Sequence, residues 1–241
     1  MDYLKGPPDA ASERTFFSVI LLRAAMRLNH RLILALDVTD PKRAVELAGR
    51  VRPHVDGVKV GWPLVLAGGL DVLRTLSKTD YVLCDFKIAD IPNTNRLIVE
   101  QAVDAGASGI ICHGFVGEDS VRACVDAARG ADVFVLVEMS HPGGLEYSAK
   151  YAEDLARVAA RVNAAGIIAP ATRPERVRAL RAIIGRKQIL APGVGAQGGK
   201  ASEAIAAGAD AVIVGRAIYE AVNPAEAAKA IVGEIRSIVS R

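Results

Sequence analysis

The chain has 241 residues, of which 51% are hydrophobic and 24% charged, and its formal net charge is +3. This composition supplies enough apolar surface for a sizeable core and excludes disorder as the main state. The net charge is too small to indicate nucleic-acid binding, and aromatic residues, at 5%, are too few for base-stacking surfaces. No apolar run approaches the ~18 residues of a membrane-spanning helix, so an integral helical membrane protein is not predicted.

The first thirty residues differ from the rest and are predicted to form an N-terminal extension. Residues 16–22 (FFSVILL) are apolar, but the run is short and acidic residues outnumber basic ones before it. A secretory signal would begin with basic residues, so a signal peptide is the weaker alternative. We expect residues 1–30 to be helical and packed on the body of the protein. Translation starting at Met26 is a further alternative.

From residue 31 onward, short apolar runs alternate with amphipathic stretches at intervals of about 26 residues. Predicted strands cover 32–36, 57–60, 81–86, 109–112, 133–138, 166–169, 188–191 and 211–214. Predicted helices include 41–51, 93–105, 120–128, 153–162, 174–184 and 200–207, with a last helix opening at Asn223-Pro224. Eight such units predict one (β/α)8 barrel, a TIM barrel, spanning residues 31–241.

A doubly wound open sheet is the alternative fold. Such a fold needs no eighth unit and usually carries its glycine-rich turn after the first strand. Here the first strand is followed by Asp-Val-Thr-Asp, which contains no glycine. The barrel is therefore favoured.

Charged residues end the first three predicted strands, where barrel enzymes place their chemistry. Asp37 follows the first strand, Lys59 lies in the second, and Asp85 and Lys87 end the third. Asp85 and Lys87 are two positions apart, so both point into the barrel mouth if Phe86 packs beneath the helices. A structural salt-bridge layer is the alternative, but barrel interiors are ordinarily apolar. The four charges therefore predict a functional array of alternating sign.

Two glycine-containing loops predict a phosphate site. Residues 192–199 (PGVGAQGG) follow the seventh strand, and Gly215-Arg216 follow the eighth. Glycines let backbone N–H groups approach an anion, and an arginine adds a bidentate donor. Glycines serving only tight turns are the alternative. We predict a phosphorylated small-molecule ligand, with the first loop acting as a lid.

The remaining reactive residue types give weaker signals. Ser140, after the fifth strand, is either a ligand-binding residue or a turn residue, and no GxSxG motif marks it as a nucleophile. The cysteines Cys84, Cys112 and Cys124 form no CxxC pair, which favours buried thiols in a reducing cytoplasm. The histidines lack metal-ligand spacing, so no metal site is predicted.

Several segments together resemble the orotidine 5′-monophosphate decarboxylase family, in its short archaeal form. The resemblance runs from residue 31 to the C-terminus and rests on RLILALDV, VKVGWPLV, DFKIADIPNTN, EMSHPGG, PGVGAQGG and IVGRAIY. The DxKxxD element (Asp85, Lys87, Asp90) is specific to a small suprafamily. The resemblance implies a TIM barrel that converts orotidine 5′-monophosphate to UMP and CO2 without cofactor or metal.

The resemblance also implies a role for each charged residue. Asp37 and Lys59 would hold the ribose hydroxyls, and Lys59 would also belong to the charge network. Asp85 would lie against the substrate carboxylate, and Lys87 would deliver the proton to ring carbon six. Asp90 completes the implied catalytic set.

The remaining implied residues bind substrate. Asp90, Ile91 and Thr94 would reach the site of a partner subunit, which makes the family enzyme a homodimer. In the chain's own site, Ser140 would recognise the pyrimidine edge and Gln197 would bridge base and phosphate from the lid loop. The other binding residues would be Pro192, Gly215 and Arg216, of which Gly215 and Arg216 would bind the phosphate.

Three other functions remain open. A magnesium-dependent sugar-phosphate decarboxylase or aldolase-like synthase of the same suprafamily would carry a glutamate ligand where Lys59 stands. A non-catalytic phosphate-ligand sensor would have little use for a costly buried charge array. A phosphoribosyl isomerase barrel would share the phosphate loops without requiring the Asp85–Lys87 pair.

Overall fold

The computed structural model describes residues 26–239, and its strands close into one barrel. Each strand pairs in parallel with its sequence neighbour, and β8 pairs with β1. The strands are β1 Leu32–Ala35, β2 Gly57–Gly61, β3 Val82–Ile88, β4 Gly109–His113, β5 Asp132–Leu136, β6 Gly166–Ile168, β7 Gln188–Pro192 and β8 Ala211–Val214. The predicted (β/α)8 barrel and all eight strands are confirmed, with boundaries shifted by one or two residues.

Helices connect the strands and surround the barrel. They are α1 Pro41–Val51, α2 Trp62–Gly68, α3 Asp71–Leu76, α4 Pro92–Asp104, α5 Glu118–Ala127, α6 Ser148–Arg161, α7 Pro174–Ile184, α8 Ala201–Ala206, α9 Arg216–Tyr219 and α10 Pro224–Val239. The helices α2 and α3 were not predicted; both lie between β2 and β3. Short 3-10 turns cover Arg52–His54 and Pro142–Leu145.

Helix α1 begins where the sequence supplies both a cap and a favourable first residue. The carboxylate of Asp40 accepts hydrogen bonds from the backbone N–H groups of Lys42 (2.9 Å) and Arg43 (3.3 Å). Pro41 opens the helix, where its missing N–H costs nothing. The start of α1 is therefore fixed just beyond the polar residues that follow β1.

The apolar side chains form two cores, separated by the wall of the barrel. Ile33, Leu83 and Phe134 pack inside the barrel, whereas alternate residues such as Leu34 pack outward against the helices. This alternation has the period of two expected for strands. It directs the side chains that continue the inward-facing rows toward the C-terminal mouth of the barrel.

Strand β3 departs from regular alternation next to the predicted charged pair. Lys87 has a φ of +45°, and the pairing of β3 with β4 shifts register between Cys84 and Ile88. Phe86 is buried in the outer core and stacks on Trp62 at 4.6 Å between ring centroids, as expected. Regular alternation alone therefore does not describe the end of β3, because the strand is irregular at Lys87.

The described part of the N-terminal segment closes the opposite end of the barrel. Met26 is buried in the inner core, and the carboxylate of Asp56 accepts hydrogen bonds from the backbone of Asn29 (2.9 Å) and His30 (3.0 Å). Residues 26–30 are not helical. The expectation of a packed helix over the preceding residues lies outside the described part of the chain. Among residues 26–239, no helix is long and apolar enough to cross a membrane.

Candidate active site at the C-terminal mouth of the barrel

A cavity of about 460 Å³ opens at the C-terminal ends of the strands. It is lined by residues from all eight strands and from the loops that follow several of them. Nine of the twelve predicted site residues line it: Asp37, Lys59, Asp85, Lys87, Ser140, Pro192, Gln197, Gly215 and Arg216. Residues from distant parts of the sequence therefore share one volume.

The four charged residues form a continuous chain of alternating sign. Lys59 Nζ lies 3.0 Å from a carboxylate oxygen of Asp37 and 2.9 Å from one of Asp85. The other oxygen of Asp85 accepts a hydrogen bond from Lys87 Nζ at 2.7 Å. Asp85 is thus held between two ammonium groups, each on a different carboxylate oxygen.

Burial and charge pairing act in opposite directions on this array. Burial lowers the pKa of Lys59, but the charges of Asp85 and Asp37 outweigh it and raise that pKa above its ordinary value. Burial likewise raises the pKa of Asp85, whereas Lys59 and Lys87 outweigh it and leave that pKa lowered. Lys59 and Asp85 therefore both remain charged at neutral pH despite burial, which is the condition for an electrostatic role.

The glycine-rich loop after β7 is folded back on itself. Gly193, Gly195 and Gly198 have φ values of +107°, +75° and +91°, which side chains with a Cβ rarely adopt. Backbone hydrogen bonds join Gly195 N–H to Gly199 O (2.9 Å) and Gly199 N–H to Gly193 O (3.0 Å). Arg216 is exposed at the start of α9, next to this loop, and also lines the cavity. The geometry suits an anion at this rim, with the guanidinium as its main charged donor.

Ser140 joins the loop after β5 to the glycine-rich loop. Its hydroxyl donates a hydrogen bond to the side-chain oxygen of Gln197 at 2.8 Å, and its carbonyl accepts one from the hydroxyl of Thr172 at 3.0 Å. Ser140 and Gln197 line the cavity together. Of the two interpretations left open by the sequence, this position favours a binding residue over a mere turn residue.

The three residues expected to serve a partner do not line the cavity: Asp90, Ile91 and Thr94. Asp90 and Ile91 are exposed, and Thr94 is half-buried. The carboxylate of Asp90 accepts a hydrogen bond from the backbone of Ile91 at 2.7 Å, and its own N–H donates to Asn95 at 3.0 Å. This loop is therefore held by local hydrogen bonds and lies outside the lining of the chain's own cavity.

Two titratable residues near the site were missed by the sequence argument. Glu138 lines the cavity and is fully buried, and it pairs with Arg173 at 2.9 Å and Arg176 at 2.8 Å. Burial lowers the pKa of His113 to about 4, with the charge of Lys87 acting in the same direction. Both residues continue inward-facing rows at the ends of their strands, so the same alternation could have identified them.

The donor groups of the site differ from those of a metal centre. The two site aspartates flank Lys59, whose ammonium group pairs with both of them. Over residues 26–239 there is no cluster of three or more His, Cys, Asp or Glu side chains that could hold a metal ion. Cys84, Cys112 and Cys124 are buried and form no disulfide.

Fold and site together define a (β/α)8-barrel protein with an aspartate–lysine array at the C-terminal mouth of the barrel. Residues 30–231 match the sequence model of the orotidine 5′-phosphate decarboxylase / HUMPS family, and the chain belongs to that family. The resemblance found in the motifs is thereby confirmed.

Individual relatives agree with this assignment. Orotidine 5′-phosphate decarboxylase of Methanosarcina mazei is 56% identical over 215 residues, covering 88% of this chain and 98% of the relative. The crystal structure of the Methanocaldococcus jannaschii enzyme complexed with inhibitor BMP superposes with a TM-score of 0.81 at 42% identity, covering 85% of this chain and 97% of that one. The Pyrococcus horikoshii structure gives 0.79 at 48% identity, covering 85% and 99%.

Proposed function

We propose that this chain decarboxylates orotidine 5′-monophosphate to UMP and CO2 by electrostatics alone, without a cofactor. The observation that carries the proposal is the ionised Asp85 held between Lys59 and Lys87 at the floor of the cavity. Loss of CO2 from the pyrimidine ring leaves a carbanion that has no adjacent electron sink. The residues present supply fixed charges of both signs at one place, which is what such a reaction needs.

Asp85 would act by repulsion. A substrate carboxylate ~4 Å from the Asp85 carboxylate feels about 4 kcal/mol of repulsion at an effective dielectric constant of ~20. If that repulsion is relieved as CO2 departs, it accounts for roughly three decades of rate. The pairing with Lys59 and Lys87 keeps Asp85 ionised while the substrate approaches.

Lys87 would act by attraction and then as general acid. The bond between ring carbon six and the carboxyl carbon breaks, and its electron pair stays on carbon six. The Lys87 ammonium faces this developing charge and transfers a proton to it, which forms the C–H bond of UMP. Lys87 is left neutral and regains a proton from solvent.

The remaining residues would bind parts of the nucleotide that do not react. Asp37 and Lys59 would hold the ribose hydroxyls, Ser140 would contact the base, and Gln197 would bridge the base and the phosphate. Pro192 and Gly215 would line the phosphate end, where Arg216 neutralises the charge (all three border the cavity). Binding energy from the phosphate would close the glycine-rich loop and expel water.

The proposed working form is a cytoplasmic homodimer in which Asp90, Ile91 and Thr94 complete the partner's site. Their exposure and their position outside the chain's own cavity support this arrangement. Mixing inactive Lys59→Ala and Asp90→Ala chains would then create one intact site per hybrid dimer. After subunit exchange, statistical mixing gives about a quarter of wild-type activity. No recovery, with hybrid formation verified by mass spectrometry, would contradict the shared site.

The reaction itself is tested by turnover with purified protein. We expect loss of orotidine 5′-monophosphate and stoichiometric release of CO2, unchanged by a chelator such as EDTA. A strict requirement for Mg²⁺ would favour the synthase or sugar-phosphate decarboxylase alternative. Binding without turnover would favour the phosphate-ligand sensor.

A further inference from the structure

A buried ion cluster at the wall of the cavity takes no part in the charge array. Glu138 is fully buried, and its two carboxylate oxygens accept hydrogen bonds from Arg173 Nε (2.9 Å) and Arg176 Nε (2.8 Å). Both guanidiniums are mostly buried as well. Removing such charges from water is costly, and an apolar side chain would fill this space at lower cost. The cluster therefore calls for a function beyond packing.

The cluster is connected to the segment that carries Ser140. Arg173 bridges Glu138 and the backbone carbonyl of Met139, which immediately precedes Ser140. Thr172, the neighbour of Arg173, donates its hydroxyl hydrogen bond to the carbonyl of Ser140 at 3.0 Å. Two adjacent residues of the loop after β6 thus hold two adjacent carbonyls of the loop after β5.

The same connection extends to the glycine-rich loop. The Ser140 hydroxyl reaches Gln197 at 2.8 Å. A Cβ added to Gly193 would lie 3.0 Å from Thr172 and 3.2 Å from Ser140, so this loop packs directly on both side chains. The loops after β5, β6 and β7 are therefore joined by hydrogen bonds and packing contacts, and Glu138 lies at the buried end of this set of contacts.

We propose that Glu138 is a positioning residue that, through Arg173, fixes Ser140 in the orientation required to bind the pyrimidine edge. This inference rests on the proposed function, since it takes Ser140 as a contact to the base. Glu138 touches no reacting atom in this account. Glu138 therefore contributes to the binding of the base and not to the binding of the ribose phosphate portion of the nucleotide.

The test compares two ligands on the intact protein. In Glu138→Gln, the affinity for UMP should fall about tenfold, the value of one or two well-oriented hydrogen bonds. The affinity for ribose 5-phosphate, which has no base, should stay within about twofold. A merely structural role would lower both affinities together. Glu153→Gln is the matched control, because Glu153 lies 3.8 Å from Arg176 but does not touch Arg173; both affinities should be unchanged.

A second variant covers the case in which Glu138→Gln does not fold. Arg173→Lys keeps the positive charge but cannot bridge Glu138 and Met139 with a planar fork, so it should show the same base-selective loss. Ser140→Ala added to either variant should cost much less than in wild type, because the contact is already lost. Equal loss for both ligands, or full additivity with Ser140→Ala, would overturn the inference. If wild-type protein bound neither UMP nor substrate, the proposed function itself would fail.

Discussion

The two ends of the barrel use their carboxylates in different ways. At the N-terminal end, Asp56 accepts hydrogen bonds from successive backbone N–H groups, and Asp132 accepts one from the Tyr81 hydroxyl at 2.8 Å. These bonds join the chain's own segments together. At the C-terminal end, Asp37 and Asp85 are paired with lysine ammonium groups and face a cavity. The carboxylates at the N-terminal end stabilise the fold, whereas those at the C-terminal end face the cavity and can act on a ligand.

Replacing Lys87 should give the largest effect at the C-terminal end. Lys87→Ala removes both the proton donor and a charge that stabilises the carbanion, so kcat should fall by at least about 10⁴-fold. UMP should still bind, since its phosphate contacts are elsewhere. Steady-state kinetics and calorimetric titration measure the two quantities. Lys229→Ala, an exposed lysine on α10, is the control, and near-normal turnover by Lys87→Ala would refute the proton-donor role.

Arg216→Ala should produce a smaller effect at the same end, confined to binding. Loss of a charged hydrogen-bond donor should weaken nucleotide affinity by about 10- to 100-fold. The free protein should keep its stability, because Arg216 is exposed. Arg50→Ala, an exposed arginine on α1, is the matched control. Unchanged affinity for UMP would mean that the phosphate group does not bind at Arg216.

The smallest effect is expected at the N-terminal end, and it should appear in stability alone. Asp56→Asn replaces a carboxylate that accepts several backbone hydrogen bonds, and should lower the free energy of unfolding by about 1–2 kcal/mol. Denaturant unfolding measures this change. kcat/KM should match wild type at a temperature where both proteins are folded. A loss of activity without a loss of stability would contradict the proposal that Asp56 serves stability alone.

Much of this arrangement could be predicted from sequence because its signals are local. Apolar runs marked the strands, and a charge at the end of an apolar run placed Asp37, Lys59 and Asp85 at one mouth. The positive φ of Lys87 and the register shift beside it could not be predicted, since they depend on how β3 and β4 pair. Alternation along β5 could have placed Glu138 at this mouth, but its arginine partners could not be predicted, because they lie 35 and 38 positions away along the chain.

Replacing the Asp85 carboxylate with a neutral amide tests most directly the claim that the charge array drives decarboxylation. Asp85→Asn preserves the shape of the side chain but removes the negative charge that would repel the substrate carboxylate. We predict that kcat falls by about three decades or more, while UMP, which carries no carboxylate, binds as tightly as to wild type or tighter. Turnover within a few-fold of wild type by this variant would contradict decarboxylation driven by the charge array.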